Sequence, residues 1–361
     1  AVILGPTHPV EFFRNIPKGL RLLLHPTKSK QYSALVDDYV TGRSGERPYA
    51  NFLREHGLYI ADKNAGMSGR EESFVSTMFE RIDALKDDMN WIKKSLGYAL
   101  AVPNQVVLRS ERGFTGYLNL VRADVTDTIM DNWIKAGKLH KDVSGGLRYG
   151  QGVTRRDMQE LTLFINRITG RGGLGPMENI PGAAKFLNAA FFSPRFVSAR
   201  ITAPLSILTP RGMAYQKFNF FGAQGRIPLG PKVTLDDFNV LFPRTVRAQA
   251  IRDLSTFVAT GSTVLYLLSL QDNVTVELDP RSPDFGKGRI GALRFDFWGG
   301  HQTVVRYAAQ FISGQAKNSD DKVLDRHRAS IAGRAVQSKL SPFAGFANDV
   351  TTGTTFTGDV M

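Results

Sequence analysis

Glu277–Gly314 is the stretch that most limits what this chain can become. Elsewhere apolar residues recur at steps of three and four, the spacing of one helical face, but here they recur at steps of two. Val274, Val276 and Leu278 alternate with Thr275, Glu277 and Asp279, and Leu293, Phe295 and Phe297 alternate with Arg294 and Asp296. That period belongs to half-buried strands, and Pro280, Pro283, Gly286 and Gly288 punctuate the connection between them. The spacing predicts one small antiparallel β-hairpin near 274–297 inside an otherwise mainly α, multi-helix assembly. Asp279, Arg281, Arg294, Asp296, Trp298, Gly299 and Gly300 then read as a rigid corner. Arg294 and Asp296 take the hairpin's polar face, Trp298 anchors it, and Gly299-Gly300 release the chain into a helix containing Arg306.

The helical remainder divides into three segments. Residues 1–67 hold short helices, at Phe12–Leu24 with an interruption at Pro17, at Tyr32–Val40 and at Tyr49–His56. Residues 68–143 predict a long helical hairpin. Its first arm opens at Ser68 and Glu71, which have capping-box spacing, and ends at Pro103; its second opens at Ser110 and closes near Gly137. Residues 144–361 combine a basic helical region, the hairpin and a polar tail. The Gly-rich Ser144–Gly152 reads as a hinge, and Thr154 with Asp157 as the capping box of a helix stopped at Thr169-Gly170. Short helices are expected over 183–222, a turn at Thr234 and Asp237, and a helix from Arg244 to about Leu270. Lys317–His327 reads as a solvated helix or loop, and the Thr/Gly-rich Val350–Gly358 as a flexible or partner-bound end.

A chain of 361 residues with 42% apolar content can bury a substantial core. It has no cysteine, which excludes disulfides, thiolate metal sites and cysteine nucleophiles. Ala1–Pro9 lacks the basic region and apolar core of a signal peptide. The net charge of +13 is concentrated in residues 141–235, where 13 Lys and Arg face 4 Asp and Glu. Such a field favours phosphate, anionic lipid or an acidic protein face. Arg155, Arg156, Arg167, Arg171, Arg195, Arg200, Arg211 and Lys217 are the candidate polyanion-binding or acidic-partner-binding residues. They are interleaved with aromatics such as Phe186, Phe191 and Phe196. Arginines with exposed rings could grip single-stranded nucleic acid; buried rings with solvated or salt-bridged arginines are the simpler alternative.

No constellation names a reaction, and no catalytic residue, metal site or cofactor is expected. Gly170–Gly175 has the glycine spacing of a dinucleotide fingerprint, but a helix precedes it and Pro176 follows, where a strand and a helix N-terminus are required. A helix C-cap and tight turn account for those glycines. The six histidines are scattered, and the carboxylate pairs Asp87/Asp88, Asp236/Asp237 and Asp320/Asp321 are adjacent, so their side chains diverge. Between Asp253 and Asp272 run 18 uncharged residues, at the short limit for crossing a bilayer. The small residues Ser255, Ala259 and Thr263 form one row along it. A buried central helix is the expectation; conditional membrane insertion is the alternative.

Five ordered blocks carry a resemblance. They are Ser110–Val125, Asn166–Gly175, Phe191–Arg200, Glu277–Gly300 and Lys339–Gly358. Together they resemble the C-terminal domain of large tailed-phage polyvalent and internal virion (ejection) proteins, over roughly residues 70–361. The resemblance implies carriage inside the virion near the portal and DNA, ejection into the host, and a structural part in genome delivery. Its implied partners are other virion proteins (portal, tail or fellow ejection proteins), viral DNA, and the host membrane after ejection, in a homo- or hetero-oligomer. Its implied locations are the virion interior, then the host envelope or cytoplasm. An Ala at position 1 fits a C-terminal portion of a longer polypeptide, on which any enzyme module would lie. The alternative implied is a DNA-binding accessory domain of a phage polyvalent enzyme in the host cytoplasm.

Overall fold

The computed structural model describes residues 3–24, 29–60, 101–142, 146–150, 152–173, 180, 186–187, 190–191, 194–208, 244–318 and 321–353. The helix expected from Ser68, the turn at Thr234 and Asp237 and the tail beyond Gly353 lie outside them.

The described chain is mainly helical. It opens with α1 (Leu4–Thr7), α2 (Pro9–Leu24), α3 (Ser29–Thr41) and α4 (Ala50–Glu55). Pro17 lies inside α2 without ending it, removing one N–H from the ladder. The long α5 covers Ala101–Lys135, so the expected break at Pro103 and restart at Ser110 are absent. Close crossing of α2 and α5 depends on glycine: a Cβ on Gly19 would meet Tyr117 Cβ at 2.9 Å, and one on Gly116 would meet Leu22.

Next come α6 (Arg155–Ile168), α7 (Pro194–Leu208) and α8 (Arg244–Ser269). The start of α6 is fixed by the expected capping box. Thr154 Oγ1 accepts from the Asp157 amide, and the Asp157 carboxylate accepts from the Thr154 amide at 2.7 Å. Such a cap contributes about 1 kcal/mol. Met158, Leu161, Ile165 and Ile168 are buried at steps of three and four. They share one core with Leu4, Leu53, the Val121–Trp133 stretch of α5, and Leu254 and Phe257 of α8. Burying each such side chain contributes roughly 1.5–3 kcal/mol. His8 Nε2 lies 3.5 Å from Asp253 Oδ2, and Gln249 donates to the same carboxylate at 2.8 Å, tying α8 to the segment between α1 and α2.

An acidic row on α5, buried at Asp124 and increasingly open toward Asp131, holds the N-terminal helices. Asp124, Asp127 and Asp131 recur at helical spacing. Asp124, 1% exposed, accepts from Arg14 and Asn15 at 2.8 Å and from Tyr39 at 2.7 Å. Burial works against its charged form, but the hydrogen bonds from Asn15, Tyr39 and Arg14 outweigh it and the pKa is lowered. Burial and Asp124 together push the Tyr39 phenol up. Asp127 pairs with Arg47 at 2.6 Å, and Asp131 accepts from Tyr49 at 2.7 Å.

Three small antiparallel sheets replace the single expected hairpin. β1 (Leu139–Lys141) pairs with β2 (Leu147–Tyr149), which puts a strand within the Gly-rich run. The second sheet has three strands, β3 (Thr275–Val276), β4 (Lys287–Ile290) and β5 (Leu293–Asp296), in the order β3-β4-β5. After it come α9 (His301–Ser313) and the hairpin β6 (Gln315–Lys317) and β7 (Val323–Asp325), which corrects the solvated helix or loop expected there. Backbone pairing satisfies that polar segment across two short strands. The described chain closes with α10 (Arg328–Gln337) and α11 (Pro342–Thr352), so the segment from Val350 begins as helix.

Candidate assembly corner and its basic flank

The corner forms, but its central strand is not the expected one. Ile290 faces Leu293, Arg289 faces Arg294, and Gly288 faces Phe295, so the hairpin proper is β4-β5 around Gly291-Ala292. The anticipated first strand contributes only Thr275–Val276, on the outer edge of β4. The sequence Lys287-Gly-Arg-Ile290 lacks alternation because Gly288 packs closely on α8, where an added Cβ would stand 3.2 Å from Leu268 Cδ1. The apolar face of β5 is itself exposed, with Leu293 at 64% and Phe295 at 41%. Its alternation therefore marks an outward apolar surface, not a half-buried strand.

Trp298 anchors the corner as expected. Its indole Nε1 donates to the Gly286 carbonyl at 3.0 Å, and Asp296 Oδ1 accepts from the Trp298 amide at 2.8 Å. The ring packs edge-on against Phe257 of α8, with centroids 5.5 Å apart. Gly261 makes room for it, since a Cβ there would lie 2.7 Å from the indole. The expected small-residue row is thus not the packing face: Ser255, Ala259 and Thr263 are exposed. α8 is buried instead along Val246, Ala250, Leu254, Phe257, Gly261 and Leu265, with Asp253 beside them. No helix among the described residues is long and apolar enough to cross a membrane.

The charged residues of the corner act as braces. Asp279 pairs with Arg281 at 2.9 Å, and that bond, with one from the Arg281 amide, lowers the carboxylate's pKa. Arg281 reaches β6 through Gln315 Oε1 at 2.7 Å, and Gln310 of α9 donates to its carbonyl at 2.7 Å. Glu277 holds Lys317 at 2.7 Å. Asp284 is opposed by burial, yet its bonds from Arg294 at 2.8 Å and Lys287 at 3.2 Å prevail and its pKa falls. Asp279 and Asp284 are thereby held as ions committed to partners, a poor setting for proton transfer.

Among the described residues, the candidate basic side chains occupy different settings. Arg155 is exposed at the start of α6, Arg156 is half-buried beside it, and Arg167 is buried near the other end. Arg171 stacks on Tyr59, 3.1 Å from the ring centroid. Arg195 reaches the Gly172 carbonyl at 3.5 Å. Arg211 and Lys217 lie outside the described residues. Gly170, at φ +94°, follows the C-cap Thr169, as the C-cap reading of the glycine run requires, and Gly172 N donates to Arg195 O at 3.0 Å. Those glycines pack α7 against the end of α6.

Among the described members of the basic set, Arg200 is the one that reaches the corner. Its guanidinium lies over Phe196 at 4.1 Å and against Gly300, the left-handed N-cap of α9. Its charge reaches His301 of α9 and, together with that of Arg306 on the same helix, Lys339 in the segment after α10. That segment is bridged to the approach to α7 by Phe191–Leu340 pairing and by Ser341 N donating to Ala190 O at 2.9 Å. Burial lowers the Arg200 pKa against the pull of Asp296. Burial, then the Arg200 charge, carries His301 down to about 4. Lys339 is lowered by burial and by both arginines. Composition located the basic segment but not these charge effects, whose members are far apart in sequence; Arg306 and Lys339 carried no local signal.

A cleft of about 280 Å³ lies elsewhere, between Thr41, Arg43, Arg54, Leu58, Tyr59 and Ile60. Arg43 is engaged by Asp38 at 2.9 Å, and the lining offers no nucleophile beside a base. Among the described residues no group of three His, Asp or Glu side chains is placed to hold a metal ion. No protein-family model, curated protein or solved structure matches the chain.

Proposed function

We propose that this chain is an internal structural protein of a tailed-phage virion, or the end domain of one. In this reading it is packaged near the portal and DNA and ejected as part of the genome-delivery apparatus. The observation that carries an assembly role is the apolar surface left outward where the corner meets its helices. On α9, Val304, Val305, Phe311 and Ile312 are exposed and form a stripe two turns long. On α8, Val258, Tyr266 and Leu270 recur at multiples of four, and Leu293 and Phe295 extend the apolar exposure onto β5. Exposed apolar surface concentrated this way suits burial against other subunits. The braced corner beneath would keep such a surface rigid, and the five-block resemblance supplies the virion context. Mass spectrometry of purified, nuclease-treated particles of the source phage tests the proposal: the chain is expected among the internal proteins, and its absence overturns the reading.

The second reading, a DNA-binding accessory domain, is favoured by the basic excess of residues 141–235. Its signature would be duplex binding that weakens steeply with salt, as released counterions require. Binding unchanged between low and physiological salt would remove it.

A further inference from the structure

The outer edge of β5 carries a row of main-chain groups and side chains that complement themselves. β5 is the last strand in the order β3-β4-β5, and all of its residues are exposed. It pairs with β4 as Ile290–Leu293, Arg289–Arg294, Gly288–Phe295 and Lys287–Asp296. Lys287 gives its carbonyl to the Glu277 amide and its amide to the Asp284 carbonyl, so its main-chain groups face away from β5. In an antiparallel ladder that makes Lys287–Asp296 a non-hydrogen-bonded pair, and alternation makes Arg289–Arg294 another. The N–H and C=O groups of Arg294 and Asp296 therefore point out of the sheet, on the side away from β4. An exposed edge of this kind is a template for another strand.

The side chains of the edge select which strand. A second β5, antiparallel and centred on Phe295, sets Arg294 opposite the other copy's Asp296 twice. Both pairs fall at the hydrogen-bonded positions that the outward groups require. Centring on Arg294 or on Asp296 would instead set like charges opposite one another, which is destabilising. Arg294 engages Asp284 through Nε and Asp296 engages the Trp298 amide through Oδ1, so the pairs across the edge would use Nη and Oδ2. Within its own hairpin Arg294 faces Arg289, a like charge that a carboxylate on the outer side offsets. On the opposite face the same register lays Phe295 against its copy and Leu293 against Phe297. Leu293 and Phe295 are 64% and 41% exposed, so this contact removes apolar surface from water.

We propose that two copies of this chain pair through β5 about a two-fold axis at Phe295, joining their sheets into one. Such an interface is isologous, with the same patch used on both copies. It rests on the assembly reading of the outward apolar surface and names a second copy as what meets it at β5; the virion context is not required.

Sedimentation of the purified whole chain across the micromolar range tests this, with a reversible monomer–dimer equilibrium expected. Arg294→Glu and Asp296→Lys each set like charges opposite in a homodimer and are expected to weaken it at least tenfold. Mixed in equal amounts, the two variants restore opposite charges at both positions and should form a heterodimer. The chain has no cysteine, so Phe295→Cys supplies a single thiol per copy. Across the axis it meets its counterpart at about 4.5 Å between Cα atoms, the spacing of a non-hydrogen-bonded pair and within disulfide reach. Oxidation should link that variant, whereas Leu293→Cys, set opposite Phe297, should stay unlinked. A wild type that remains monomeric throughout overturns the proposal. So does a dimer indifferent to both charge variants, a mixture of folded variants no more associated than its components, or Leu293→Cys linking as readily as Phe295→Cys. Should a charge variant lose its fold, as its thermal midpoint reports, the two cysteine variants decide alone. Each of these failures leaves particle composition, the test of the virion reading, untouched.

Discussion

The guanidinium of Arg200 rests directly on Gly300: a Cβ at residue 300 would stand 2.6 Å from Arg200 Cζ. Gly300 also holds φ at +85°, a conformation that L side chains rarely adopt. Two independent demands therefore fall on one position. Gly300→Ala is expected to cost about 1–3 kcal/mol, from strain and from displacement of Arg200. Urea unfolding measures the loss.

Trp298 gives a local reporter of the same corner. Gly261→Val would drive the indole off Phe257, because the space at residue 261 is filled by the ring. The expected result is a red-shifted Trp298 emission, read as the difference between each protein and its Trp298→Phe counterpart. A loss of about 1–3 kcal/mol should accompany it, the usual cost of overpacking.

Asp127 and Arg47 test the N-terminal staple. Arg47 has a side chain only 1% exposed and also donates to the Val40 and Ala123 carbonyls. Burial raises the Asp127 pKa despite the bonds from Arg47, so desolvation opposes the pair. Removing one member is another matter. Asp127→Ala is expected to cost about 3–5 kcal/mol by leaving a buried cation uncompensated. The double variant Arg47→Met with Asp127→Leu should cost less than that single change, and denaturant unfolding of the three proteins decides it.

What could be read from the sequence follows where the signal was local. Thr154 and Asp157 lie three residues apart, and the cap they form is the one expected. The Trp-Gly-Gly corner was legible for the same reason: one large ring and two glycines in succession leave few alternatives. β4 was not, because its packing on Leu268 requires Gly288 where a strand pattern would place an apolar side chain. The strands Gln315–Lys317 and Val323–Asp325 are three residues each, too short for a period to show. Asp124 and Asp127 did carry a signal, since two carboxylates three residues apart among apolar neighbours on a helix demand partners. The seating of Arg200 on Gly300 is tertiary, and no spacing encodes it.

His301 sets an acid limit on the corner. Burial and the Arg200 charge depress its pKa from 6.5 to about 4. Between those values the unfolded chain binds a proton that the folded chain refuses, so stability falls as pH drops from 6.5 toward 4. The full effect is about 3 kcal/mol at the low end of the window. Urea midpoints at pH 7 and pH 4.5, compared between the wild type and His301→Gln, isolate it. Carboxylates titrate in both proteins and cancel; the wild type is expected to lose more stability than the variant.

Ile312 tests the assembly role without disturbing the fold. It is 76% exposed at the end of the α9 stripe, so Ile312→Glu removes apolar surface that contacts little within the chain. Such a surface change is expected to alter stability by no more than about 0.5 kcal/mol. If the stripe packs against other subunits, the buried glutamate would cost far more there, and incorporation into particles should drop while the purified chain unfolds at the wild-type midpoint. Quantitative mass spectrometry of particles carrying the variant measures this. Full incorporation would move the interface off α9, leaving the outward faces of α8 and β5 to be tested by Tyr266→Glu and Leu293→Glu.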